Sequence, residues 1–212
     1  MILIGQYDSP FVRRVAIAAR LYDMTYEHRP WSVFRDADAL AAINPLRRVP
    51  TLILDDGEVL VESGAMLDAF DDMVGPDRAL APRSGPLRRR HLKTCGLATG
   101  LADKAVSLIY ELLLHEARSQ VWIDRCHAQI GDVLDALEAE RAIATSTWWF
   151  GEALSHADII VACAVRFTRE AHPDLFAADR WPTLTAQIDR CEALDAFSGV
   201  VQAFTVTLPK AQ

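Results

Sequence analysis

Asn44-Pro45-Leu46-Arg47-Arg48-Val49-Pro50-Thr51-Leu52-Ile53-Leu54-Asp55-Asp56-Gly57-Glu58-Val59-Leu60-Val61-Glu62-Ser63 is the stretch whose reading decides the fold. The residue before a proline avoids the helical region, so Asn44-Pro45 stops whatever helix precedes it. Pro50 has no N–H to give to a ladder and belongs at the first position of a strand or at a sheet edge. The apolar runs 51–54 and 58–61 flank Asp55-Asp56-Gly57, residues suited to the left-handed backbone of a tight turn, and together they predict a β-hairpin. Ser63 is a helix-capping type, and Gly75 is placed to end a helix running to about Val74.

Upstream, residues 2–6 are a short apolar run closed by Gly5 and polar neighbours, which predicts a buried strand. Ser9 suits an N-cap and Pro10 the first helical turn, where a missing N–H costs nothing. Apolar residues then recur at helical spacing over 11–24, a second strand is expected over 26–31, and a short helix over 36–43. The order βαβα, hairpin, α before Gly75 restricts the fold to a small α/β sandwich. Residues 75–86 hold Gly75, Pro76, Pro82, Gly85 and Pro86, a linker composition. Everything beyond is helical in period, with two short final helices around 184–191 and 194–204. The expected division is an α/β domain over 1–77, a linker over 78–86 and an all-helical domain over 87–212.

Composition narrows the function classes. The 212 residues carry a net charge of −7, and the isoelectric point is about 5.3. Such a chain gains nothing electrostatically from phosphate backbones, so no nucleic-acid partner is expected. Arg88-Arg89-Arg90 opens a helical segment and reads as a solvated face. No apolar run is long enough to span a membrane, and residues 1–7 lack the basic start of a signal peptide. The four cysteines (Cys95, Cys126, Cys163, Cys191) form no CxxC pair and read as reduced thiols of a cytoplasmic protein. The six histidines make no metal-ligand spacing with cysteines or acids, so no metal is expected. No phosphate-binding glycine loop occurs.

Three places can carry chemistry. Ser9 stands at a helix N-terminus, where unpaired N–H groups and the helix dipole stabilise a thiolate. It cannot become a thiolate itself, but it can donate a hydrogen bond to one held by a ligand. A cis bond before Pro50 would turn the Val49 N–H and C=O outward, available to an extended peptide, with Arg48 beside them to meet a carboxylate. Ser63 at a second helix N-terminus makes a carboxylate site, and the adjacent Glu62 can accept from an ammonium group. Taken singly, these are also an ordinary cap, an ordinary strand-entry proline and a capped helix beside a surface acid.

Their order and spacing resemble the soluble glutathione S-transferase superfamily, whose N-terminal domain is thioredoxin-like and whose C-terminal domain is all-α. Residues 44–52 look like that family's Asn-Pro-x-Gly-Lys-Val-Pro-x-Leu. Phe150-Gly151-Glu152-Ala153-Leu154-Ser155-His156-Ala157-Asp158 resembles the segment leading into its buried helix, with Ser155 and Asp158 as a capping box. Trp181-Pro182-Thr183-Leu184 and Ala193-Leu194-Asp195-Ala196-Phe197 resemble its last helices. The resemblance implies glutathione as co-substrate. Val49 would hold its cysteinyl backbone, Glu62 and Ser63 its γ-glutamyl end, Arg48 its glycyl carboxylate, and Ser9 its sulfur. Phe11 and, more loosely, the neighbourhood of Tyr110 would line the pocket of a small hydrophobic electrophile. Arg47 departs from the family's glycine. The Ser9-Pro10-Phe11-Val12 loop resembles tau-like and bacterial serine-type members. Tyr7 is a rival for Ser9, standing where tyrosine-type members carry their hydroxyl. The implied function is a cytoplasmic, homodimeric glutathione transferase. The alternatives are a glutathione-dependent isomerase or dehalogenase, and a non-catalytic interaction module on the same fold.

Overall fold

The computed structural model describes residues 1–205. It divides into two compact units, one of Met1–Ala79 joined by the chain from Ala196 onward, the other Leu80–Asp195.

In the first unit, β1 (Ile2–Ile4), α1 (Pro10–Leu21) and β2 (Glu27–Arg29) make a βαβ unit with β1 parallel to β2. A short α2 (Ala37–Ala41) follows. Then β3 (Thr51–Ile53) lies antiparallel on the other side of β1, and β4 (Val59–Val61) pairs antiparallel with β3. The sheet order is β2-β1-β3-β4. The last helix of this region, α3 (Ser63–Val74), packs against α1. Leu3, Ile4, Val12, Val15, Ile17, Leu52, Met66 and Phe70 are buried in this unit. Each such side chain contributes on the order of 1.5–3 kcal/mol by leaving water.

The elements are shorter than predicted, for visible reasons. β1 ends at Ile4 because Gly5 turns away with φ +131°. Pro30 cannot supply a ladder N–H, and β2 stops before it. Asp23 takes a left-handed φ of 57° just past α1.

The second unit contains α4 (Gly85–Leu114), α5 (Gln120–Ala142), α6 (His156–Ala171), a single 3-10 turn at Pro173–Leu175 and α7 (Pro182–Glu192). α6 packs on both α4 and α7, and residues 159–165, apolar at every position, are buried without a break. The turn before α6 is tied down by polar groups. The Arg141 guanidinium donates to the carbonyls of Ser146 (2.7 Å) and Thr147 (3.1 Å) and to Gln187 (3.1 Å). Asp158 accepts from the backbone N–H of Trp149 (2.9 Å) and of Ser155 (2.9 Å), from the Ser155 hydroxyl (2.8 Å) and from Gln187 (3.0 Å). The buried His172 donates Nε2–H to the Ala105 carbonyl at 2.8 Å. Cys126, Cys163 and Cys191 are buried, Cys95 is half-buried, and none is bridged. Among the described residues no helix is long and apolar enough to cross a membrane.

The C-terminal segment departs from expectation. The helix predicted over 194–204 is only α8 (Asp195–Ser198), and the chain from Ala196 groups with the α/β unit instead of the helical domain. The cause lies in α1, whose buried Arg13 donates to the carbonyls of Phe197 (3.1 Å) and Val200 (2.8 Å). Those two carbonyls are bound by a charged donor, and Gly199 between them favours leaving the helix. The end of the expected helical domain, 206–212, lies outside the described residues.

Candidate functional site

Ser9 caps α1 from an extended conformation, φ −68° and ψ 124°. Its Oγ accepts the Val12 N–H at a long 3.4 Å. Among the described residues no acceptor takes the hydroxyl proton of Ser9, so the protein leaves that proton uncommitted. Tyr7 is differently placed. Its hydroxyl shares a hydrogen bond with the Tyr26 hydroxyl at 2.8 Å, and its ring stacks on His28 with centroids 3.8 Å apart. Burial first, then the bond to Tyr26, pushes the Tyr7 phenol well above its ordinary value. The Tyr7 oxygen is thus engaged with Tyr26.

The Val49–Pro50 bond is cis. Among the described residues neither the N–H nor the C=O of Val49 makes a backbone hydrogen bond. Asn44 holds the loop in front of it. Its side-chain amide donates to the Arg48 carbonyl (3.0 Å) and to Thr51 Oγ1 (2.9 Å), while its Oδ1 accepts the Leu46 N–H (2.9 Å). Arg47 sits at φ 52°, a backbone that glycine adopts without penalty and that other residues reach at some cost.

Gly5 seats this loop against α1. A Cβ built there would lie 2.5 Å from Val12 Cγ2 and 2.8 Å from Val49 Cβ, in a backbone already at φ +131°. Gly5→Ala must therefore push Val49 away from Val12. The expected loss is about 1–3 kcal/mol from overpacking, seen as a lower urea midpoint, together with weaker binding of any peptide docked on Val49.

At the third place, Ser63 begins α3 and is 2 % exposed. Its Oγ accepts from the Nε of Arg14 at 3.0 Å and also from Nη2 of the same guanidinium. The hydroxyl proton of Ser63 is thereby directed away from Arg14. Arg14 lies 3 % exposed in α1 and stands 5.3 Å over the ring of Phe11. Glu62 is exposed and strained, at φ 68° and ψ 112°, and its side chain does not cap the helix it precedes. The first N–H groups of α3 therefore point outward without a side-chain cap, beside a buried cation. Arg48 approaches Glu62 at 3.9 Å, both side chains well exposed.

Within one unit, Gly5 thus lies against both Val12 and Val49, Arg14 bonds Ser63, and Arg48 approaches Glu62. Tyr110 lies on α4, in the other unit. Arg14 and Asn44 are the polar residues that sequence reading passed over. The signal for Arg14 was a charge set between the apolar Val12 and Val15. Asn44 offered only its breaker role before Pro45.

The family model described as "Glutathione S-transferase, N-terminal domain" matches residues 3–77, and the corresponding C-terminal domain model matches residues 120–190. The maleylacetoacetate isomerase of Pseudomonas aeruginosa is 29% identical, with 93% of each chain covered. A glutathione transferase family member from Pseudomonas fluorescens, solved with bound glutathione, is 32% identical over 94% of this chain and 97% of its own, with a TM-score of 0.84. A glutathione S-transferase of Methylobacterium radiotolerans, solved with glutathione sulfonate, shares the fold at a TM-score of 0.91. It covers 100% of this chain and 99% of its own at 24% identity.

Proposed function

This chain belongs to the glutathione S-transferase superfamily, and on that premise we propose that it binds glutathione, ionises its thiol at Ser9 and adds the thiolate to an apolar electrophile. The observation that carries this reading is the uncommitted hydroxyl proton of Ser9 at the N-terminus of α1, with the free Val49 backbone packed one glycine away. The peptide lies along Val49, its cysteinyl N–H and C=O meeting the backbone groups left open beside Pro50. Its γ-glutamyl carboxylate sits on the first turn of α3 and the Ser63 hydroxyl, where Arg14 adds a positive field. Its ammonium group meets Glu62, and its glycyl carboxylate meets Arg48. The sulfur then rests at α1, where the helix end and the Ser9 hydroxyl both favour the charged form. Phe11 offers an apolar wall for the second substrate.

The similarity to a maleylacetoacetate isomerase over 93% of the chain supports a second reading, glutathione-dependent isomerisation. The first step is shared: thiolate adds to an activated carbon. In a transferase the carbon–sulfur bond stays. In an isomerase the adduct rotates about what was a double bond, then expels the thiolate, and glutathione is recovered.

The test is calorimetry with glutathione, followed by turnover of an activated aryl halide and of maleylacetoacetate. Glutathione consumed mole for mole with product supports conjugation. Isomerisation with glutathione unconsumed supports the second reading. No heat at millimolar glutathione would remove both and leave a non-catalytic module on a shared fold.

A further inference from the structure

The segment beyond α8 returns to the turn that carries Ser9. Phe197 and Val200 are buried at 0% and 1% exposure. Both carbonyls are held by Arg13, itself 3% exposed, with the guanidinium 5.9 Å from the Phe197 ring centroid. A buried guanidinium is tolerated only when its donors are used, so this attachment is firm. From that anchor the chain runs on in irregular conformation, and Gln202 Oε1 accepts the N–H of Tyr7 at 3.1 Å.

That N–H matters because of where it lies. The turn from Gly5 to Ser9 leaves β1 and delivers the cap of α1. At its start the Gly5 N–H bonds to Arg29 O at 2.8 Å and the Gly5 carbonyl meets His28 Nε2 at 2.8 Å. At its end the Ser9 N–H bonds to Gln6 O at 3.2 Å. Tyr7 is the middle of the turn, outside the sheet and before the helix, and Gln202 holds its N–H.

We infer that Gln202 is a positioning residue for Ser9: the C-terminal segment, anchored by Arg13, fixes the turn that aims the Ser9 hydroxyl. The inference rests on the reading of Ser9 as the donor to the glutathione sulfur. Gln202 touches no substrate in this role and acts through the backbone at Tyr7. Among the described residues Gln202 is hydrogen-bonded to Tyr7 and to neither Val49 nor the start of α3.

Full-length protein carrying Gln202→Ala, Gln202→Glu or Ser9→Ala should be compared in three readouts: glutathione affinity, kcat, and the titration of the bound thiol followed by its ultraviolet thiolate absorbance. In Gln202→Ala the affinity should stay within about twofold. The kcat should fall about 3- to 10-fold, the span of one neutral hydrogen bond, with the thiol titrating at higher pH. Gln202→Glu keeps an oxygen acceptor and should restore both. If Ser9→Ala impairs the titration and Gln202→Ala does not, the inference fails while the reading of Ser9 stands. If Ser9→Ala leaves the titration unchanged, both fall. An equal loss of affinity and kcat in Gln202→Ala, with no rescue by Gln202→Glu, means a merely structural contact and also overturns the inference.

Discussion

Ser9→Ala is expected to lower kcat at neutral pH on the order of 10- to 100-fold while glutathione affinity changes little. A hydrogen bond to a charged group contributes about 1.5–3 kcal/mol, equivalent to about one to two pKa units. Ser9 has the proton to make such a bond, since its Oγ spends only a lone pair on the Val12 N–H. The α1 N-terminus remains in the variant, so the thiol stays more acidic than a free one, whose value is about 8.5. The sign is definite: losing a donor to the thiolate raises the thiol pKa, and the kcat profile moves to higher pH. At sufficiently alkaline pH the variant should recover most of its rate, because the thiolate forms without help. Tyr7→Phe is the matched control. Its hydroxyl is bonded to Tyr26, so its loss should change kcat less than about threefold. A bound thiol that titrates identically in Ser9→Ala and wild type, or a large effect confined to Tyr7→Phe, would move the donor role away from Ser9.

The positions of Ser9, Val49-Pro50 and Ser63 were readable in the sequence for a common reason. Caps, strand-entry prolines and tight turns are fixed by residues within a few positions, and Ser, Pro, Asp and Gly each carry their own backbone preference. The hairpin and the start of α1 followed from that local chemistry, whereas Ser63, expected as the cap of α3, is its first helical residue and Glu62 stands at the cap position without a side-chain bond. Arg13, Arg14 and Asn44 were not readable as buried residues. A guanidinium in an apolar stripe enters the interior only if its partners are present, and these lie far along the chain: Ser63 for Arg14, 49 positions away, and Val200 for Arg13, 187 positions away. The same long-range donor explains the misread C-terminal helix. The period over 194–204 is locally helical, yet Arg13 takes the Phe197 and Val200 carbonyls, and a tertiary bond to a charge outweighs a few tenths of a kilocalorie of propensity per residue. Gly5 is a third kind of case. Its glycine could be read as a strand end, but the close approach of Val12 and Val49 is visible only once both loops are folded together. What escaped the sequence is therefore the long-range packing around Ser9, Val49 and Ser63.

Asp158→Ala is the substitution expected to cost the fold most, about 3–5 kcal/mol, since it strands several buried donors at once. Asp158 is 1% exposed. Its two oxygens collect the Trp149 N–H, the Ser155 N–H, the Ser155 hydroxyl and the Gln187 amide. Without the carboxylate the start of α6 loses one half of its capping box, the turn at Trp149 loosens, and Gln187 keeps its bonds to Arg141 and Arg190. For a chain of this length the loss corresponds to about 6–20 °C in Tm. The pH dependence supplies an independent check. Burial, partly offset by those hydrogen bonds, holds the Asp158 carboxyl above its ordinary value. A native pKa above the unfolded one, about 3.9, means the folded state binds the proton more readily. The stability owed to this group is therefore fullest in acid and declines as pH rises through the raised native value. The gap between wild type and Asp158→Ala, followed by urea unfolding, should widen as pH falls from neutral toward that unfolded value. A gap that narrows in acid would mean that the four hydrogen bonds outweigh burial, and that Asp158 is instead a carboxylate stabilised in its charged form.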